Sequence, residues 1–207
     1  VRYATFKEKQ VTELLKSKGI LTVQDLHLDI ICEVFKIDVT YHRGRSFCIH
    51  EDEENYALIF IDKRLSYYEQ RFTFFHEFAH FLYHSGDQKK LPNEMVTLQE
   101  QQAHWIALYS SMPRHIFEPM AIRHQSVEKL QELFELPKQY IIERFNSIKR
   151  ERSLQNFQYR IQRSERSRRK KSLQPGQVYD STLSVLEQLK QQVGEERLSY
   201  DVTRLLR

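Results

Sequence analysis

The chain has 207 residues, 40% hydrophobic and 29% charged, with five Gly and five Pro. This composition belongs to a folded, helix-leaning protein with one well-buried core and material left for an appendage, and it excludes a disordered or fibrous chain. The net charge of +4 hides an uneven split: residues 149–171 hold ten Lys or Arg against Glu151 and Glu165, a local +8, which leaves −4 for the rest.

Helical periodicity predicts helices over 3–16 and 23–36. The second carries Leu26, Ile30, Ile31, Val34 and Phe35 on one stripe, with Thr22 as its cap. From Ile37 the period falls to two, giving short strands at 38–42, 46–50 and 56–61. The run Tyr56-Ala57-Leu58-Ile59-Phe60-Ile61 is the most apolar and is expected inside the sheet. A helix follows from Tyr67 to about His84, then a loop holding Pro92, then a helix over 95–111 that stops ahead of Pro113. Two shorter helices are expected at 125–135 and 137–149, the latter with Pro137 at its first turn. Beyond Ile148 the chain is polar and basic, is broken at Pro175-Gly176, and ends on an amphipathic pattern through Leu183, Val185, Leu186, Leu189 and Val193. These pieces read as an α+β domain over 1–150, with a small and mostly antiparallel sheet, followed by a basic helical extension over 151–207.

Cys32 and Cys48 lack metal-binding spacing and are too few for a disulfide scaffold, which favours a reducing compartment. Residues 1–20 contain no continuous apolar run resembling a signal peptide, and no stretch nears the roughly 18 apolar residues of a membrane span. A soluble cytoplasmic protein without a membrane partner is the expectation.

The informative pentapeptide is His76-Glu77-Phe78-Ala79-His80. Residues four apart share a helix face, so both imidazoles can reach one ion. Zinc (Zn2+) suits imidazole nitrogen and carboxylate oxygen, and a catalytic ion keeps one position for water. Glu77 adjoins the first histidine and is placed to take that water's proton. The next helix supplies Glu100 as the third ligand, with His104 one turn beyond as a partner that orients a ligand. His84 continues the histidine face as a fourth ligand, a packing residue or a substrate contact. Tyr109, His115 and His124 are candidates for oxyanion stabilisation.

Asp62 through His84, with Arg71-Phe72-Thr73-Phe74-Phe75-His76-Glu77-Phe78-Ala79-His80-Phe81-Leu82-Tyr83-His84, resembles the core of the ImmA/IrrE-type metallopeptidases. Those proteins follow the zinc helix with one patterned Glu-x-Glu-Ala-Asn-x-Phe-Ala and ending in Leu-Leu-Met-Pro. Here the second stretch reads Glu100-Gln101-Gln102-Ala103-His104-Trp105-Ile106-Ala107, then Ser110-Ser111-Met112-Pro113. The family's second acidic position is therefore Gln102, and its Asn position His104. A Glu with a polar partner four residues later matches the ligand-and-orienter pattern of thermolysin-like enzymes, which favours Glu100. The resemblance covers roughly residues 20–150. It implies a zincin-like fold and an anti-repressor of bacteria, prophages or integrative elements that cleaves or inactivates a helix-turn-helix transcriptional repressor.

Ser126–Asn146 itself reads as helix, turn at Glu135-Leu136-Pro137, and helix, a pattern resembling a helix-turn-helix with Gln139, Glu143, Arg144 and Lys149 on its second helix. Beside the basic stretch it offers a competing function, in which the chain binds nucleic acid or a protein partner without cutting it. Arg163, Arg166, Arg168, Arg169, Lys170 and Lys171 are the contacts that reading nominates.

Overall fold

A computed structural model describes residues 5–51, 56–83, 92–172 and 178–206. The chain divides into two compact units, Val1–Glu151 and Arg152–Arg207.

The first unit opens with α1 (Phe6–Ser17), whose start is fixed by the Thr5 side chain accepting from the Glu8 N–H at 3.0 Å. The segment expected as one helix over 23–36 is split into a 3-10 turn, Gln24–Leu26, and α2, Leu28–Phe35. The break falls at His27, which has ψ 141°. Thr22 is not the cap: the Asp25 carboxylate collects the N–H groups of Leu21 and Thr22 at 3.0 and 2.7 Å. Leu26, Ile31 and Phe35 are buried, while Ile30 faces out.

Strands β1 (Ile37–His42), β2 (Phe47–Glu51) and β3 (Tyr56–Asp62) form a sheet in the order β1-β3-β2. The apolar β3 is central, as its lack of polar alternation requires. The sheet is mixed rather than mostly antiparallel. β2 pairs antiparallel with β3 (Cys48 opposite Ile59), but β1 pairs parallel with it (Val39 opposite Ile59). Among the described residues both β1 and β2 are edges.

Helix α3 (Tyr67–Tyr83) begins with a capping box. Ser66 donates its N–H and hydroxyl to Glu69 at 2.9 and 2.7 Å, and the Glu69 N–H approaches the Ser66 hydroxyl at 3.4 Å. Phe74, Phe75 and Phe78 are fully buried, with Phe78 edge-on to Phe35 of α2 at 4.9 Å. The buried Arg71 donates to the carbonyls of Phe134 and Leu26 at 3.0 and 2.8 Å, tying α3 to two other segments. α4 (Asn93–Ser111) packs along α3, and α3 also lies against β3 and β2.

Helix α5 (Arg114–His124) has no counterpart among the sequence expectations, because Pro119 lies inside it and its apolar residues form no clean stripe. Helix α6 (Val127–Phe134) follows a Ser126 cap. The expected 137–149 helix is the first part of a 35-residue helix, α7 (Lys138–Ser172). α7 joins α1 and α5 through a buried ion network. Arg144, fully buried, donates to Glu8 at 2.5 Å and to the Met112 carbonyl at 3.0 Å. Arg114 reaches Glu118 at 2.9 Å and also contacts Glu151.

The second unit comprises the remainder of α7, α8 (Asp180–Val193), a 3-10 turn at Glu195–Arg197 and α9 (Tyr200–Leu205). The break at Pro175-Gly176 lies outside the described residues. Among the described residues no helix is long and apolar enough to cross a membrane.

Candidate metal centre

The capping box and the phenylalanine core fix the rotation of α3, leaving the His76 and His80 face turned toward α4. The Nε2 atoms of His76 and His80 lie 3.3 Å apart. From α4, one Glu100 carboxylate oxygen lies 3.1 Å from His76 Nε2 and the other 3.5 Å from His80 Nε2. One ligand atom from each residue falls within 4.8 Å of the others, the sole such His/Cys/Asp/Glu group among the described residues. Tetrahedral zinc with bonds of about 2.0–2.1 Å to N and O separates neighbouring donors by about 3.4 Å. The three spacings match that geometry, and two nitrogens with one carboxylate make a donor set that zinc accepts. The cluster fits the ion.

Electrostatics agree with that fit. Burial holds the His76 imidazole below its ordinary pKa against the raising pull of Glu100, so the neutral, metal-binding form is favoured. Gln102 is exposed, whereas Glu100 is half-buried in the cluster. Glu77 is 9% exposed, and burial together with the Glu100 charge raises its carboxyl to about 7. A carboxylate poised near neutrality suits a general base.

Other nominated residues sit elsewhere. His104 follows Glu100 by one turn, but its Nε2 contacts both Glu143 oxygens of α7, at 3.0 and 3.1 Å, rather than a residue of the cluster. Its ring is edge-on to Phe72, which stacks on Tyr140. Tyr109 is 4% exposed, bonded to Thr5 and covered by the Arg144 guanidinium at 5.0 Å, apart from the contacts that define the cluster. His115 is engaged at Nε2 by the Ile20 carbonyl at 2.9 Å. His124 is exposed in the last turn of α5, and His84 lies outside the described residues.

On the second helix of the α6–α7 pair, Glu143 is bonded to His104 and Arg144 is buried against Glu8, while Gln139 and Lys149 are exposed. In the second unit Arg163 and Arg166 are exposed on α7, while the side chains of Arg168, Arg169, Lys170 and Lys171 lie outside the described residues.

Two neighbours of the site carried no signal in the sequence. Cys48 of β2 is half-buried, and its thiol is pushed up to about 12 by burial and by the charge of the Glu77 carboxylate. Arg45, in the turn before β2, is close enough for its charge to act on both His76 and Glu77. Each was invisible because a strand's register against a distant helix is not written in its own residues.

A family model described as the IrrE N-terminal-like domain, a peptidase family, matches residues 29–146, more than half of the chain. The Bacillus subtilis (strain 168) protein YqaB, described as uncharacterized, is similar at 27% identity over 134 residues, which span 62% of this chain and 76% of YqaB.

Proposed function

The chain belongs to the peptidase family of the IrrE N-terminal-like domain, and on that premise we propose that it is a zinc-dependent endopeptidase acting in the cytoplasm as an anti-repressor. Its substrate is a helix-turn-helix transcriptional repressor of a phage, a mobile element or a stress regulon. The observation that carries the chemistry is the convergence of His76, His80 and Glu100 on one point, next to Glu77, whose carboxyl is raised to about 7 by burial.

His76 and His80 would hold zinc through Nε2 and Glu100 through its carboxylate. Zinc bound there supplies Lewis acidity toward water and a peptide carbonyl. Glu77 accepts the proton of the attacking water on its carboxylate oxygen and returns it to the departing amine nitrogen, completing addition of water across the C–N bond. Strand β2, an edge of the sheet among the described residues and packed against α3, is the strand along which an extended peptide would lie.

The test is co-expression with a helix-turn-helix repressor, chosen from the neighbouring genes where one is encoded there. The native chain should convert the repressor to two fragments detectable by mass spectrometry, and Glu77→Gln should leave it whole. An intact repressor that is nonetheless inactivated by both proteins would favour the second reading, a regulator that binds without cutting. The exposed basic residues Arg160, Arg163 and Arg166 of α7 support that alternative.

A further inference from the structure

The three residues of the cluster come from two helices, and they are not equally secured. His76 and His80 lie one turn apart on α3, so that helix alone sets the spacing between them. Glu100 lies on α4, and its distance from both imidazoles depends on how α4 is held against α3. A zinc–oxygen bond of about 2.0–2.2 Å leaves little room for α4 to shift.

The neighbouring side chains show what holds it. The buried Phe72 precedes His76 by one turn, His104 follows Glu100 by one turn, and their rings meet edge-on with centroids 5.8 Å apart. The two helices therefore run antiparallel, and Phe72 with His104 forms the rung next to the one made by His76 and Glu100. Helix α7 grips both sides of that rung. Tyr140 stacks on Phe72 with centroids 3.5 Å apart, and its ring is tilted against His104 at 5.9 Å. Glu143, three residues further along α7, takes His104 Nε2 on both carboxylate oxygens, at 3.0 and 3.1 Å. A carboxylate only accepts, so Nε2 carries the proton and donates to Glu143. About a third of each side chain is exposed, and a hydrogen bond to a charged acceptor is stronger than one between neutral groups.

Resting on the reading of the cluster as a metal centre, we infer that Glu143 is a positioning residue for that centre. By holding His104 it fixes the turn of α4 that aims the Glu100 carboxylate at His76 and His80, while Tyr140 secures the matching turn of α3. The clamp is local: it joins side chains from three helices within one turn of the cluster.

Full-length native and variant chains are titrated with zinc in competition with a chromophoric chelator. Glu143→Ala is expected to weaken zinc binding roughly 10-fold or more, the size seen when the group behind a metal ligand is lost. Glu143→Gln keeps an oxygen for His104 and should recover most of that affinity. Asn146→Ala, at an exposed position further along α7, should match native protein. In a His104→Ala background, Glu143→Ala should add less than about two-fold. At saturating cobalt, the visible spectrum of Glu143→Ala should differ from that of native protein, and the spectrum of Glu143→Gln should not. Native zinc affinity and a native cobalt spectrum in Glu143→Ala would overturn the assignment, whatever its unfolding midpoint. So would a Gln variant as weak as the Ala variant, an equal loss in Asn146→Ala, or full additivity with His104→Ala. Failure of the native chain to bind either metal would instead remove the metal centre, and the inference with it.

Discussion

Removing the charge of Glu77 should stabilise the metal-free protein, and by an amount that depends on pH. Burial and the Glu100 carboxylate raise the Glu77 carboxyl from 4.5 to about 7. The native state therefore favours the protonated acid. Below about pH 4.5 both folded and unfolded chains carry the proton, and the site costs nothing. As pH rises from 4.5 to 7 the unfolded chain ionises first, and native stability falls until the folded group ionises too. The interval is about 2.5 pH units, which at ~1.4 kcal/mol per unit gives a penalty of about 3.5 kcal/mol above pH 7. Glu77→Gln cannot ionise and escapes it. Thermal unfolding of chelator-treated proteins, followed by circular dichroism from pH 4.5 to 8.5, should show matching Tm values at the acid end. At pH 8 the variant should be higher by roughly 5 °C or more. Parallel curves across the range would refute the reasoning, because they would mean that Glu77 is not held in a site hostile to its charge.

Arg144→Met should destabilise by about 3–5 kcal/mol in urea titration, since it leaves Glu8 buried without its closest cation. Phe74→Ala, at a fully buried position behind the histidine face, should cost about 3–5 kcal/mol and weaken metal binding by loosening α3. Ser66→Ala removes the capping box of α3 and should cost about 1 kcal/mol, read from the urea midpoint, while leaving metal content unchanged.

Much of this architecture was legible in the residues. Tyr56–Ile61 has no polar alternation, so it had to be covered on both faces and is central; the periodicity from Tyr67 to Tyr83 placed both histidines on one face of a helix. Glu100 could be chosen over Gln102 on local spacing, and the structure places Glu100 in the cluster and Gln102 in solvent. What was not legible depends on pairing at a distance. The parallel ladder between β1 and β3 skips a strand, and no residue of either announces it. The partner of His104 is Glu143, 39 positions away on another helix. Helix α5 was hidden by Pro119, and the length of α7 by an exposed stretch whose helicity needs no apolar stripe.

The central claim is that three side chains from two helices make one metal centre. Zinc content of the purified native chain, set beside His80→Ala and Glu100→Gln, tests it most directly. The account predicts about one zinc per native chain and loss of most of it in both variants while the fold is kept. A native chain without zinc, or a full zinc complement retained by Glu100→Gln and His80→Ala, would contradict it.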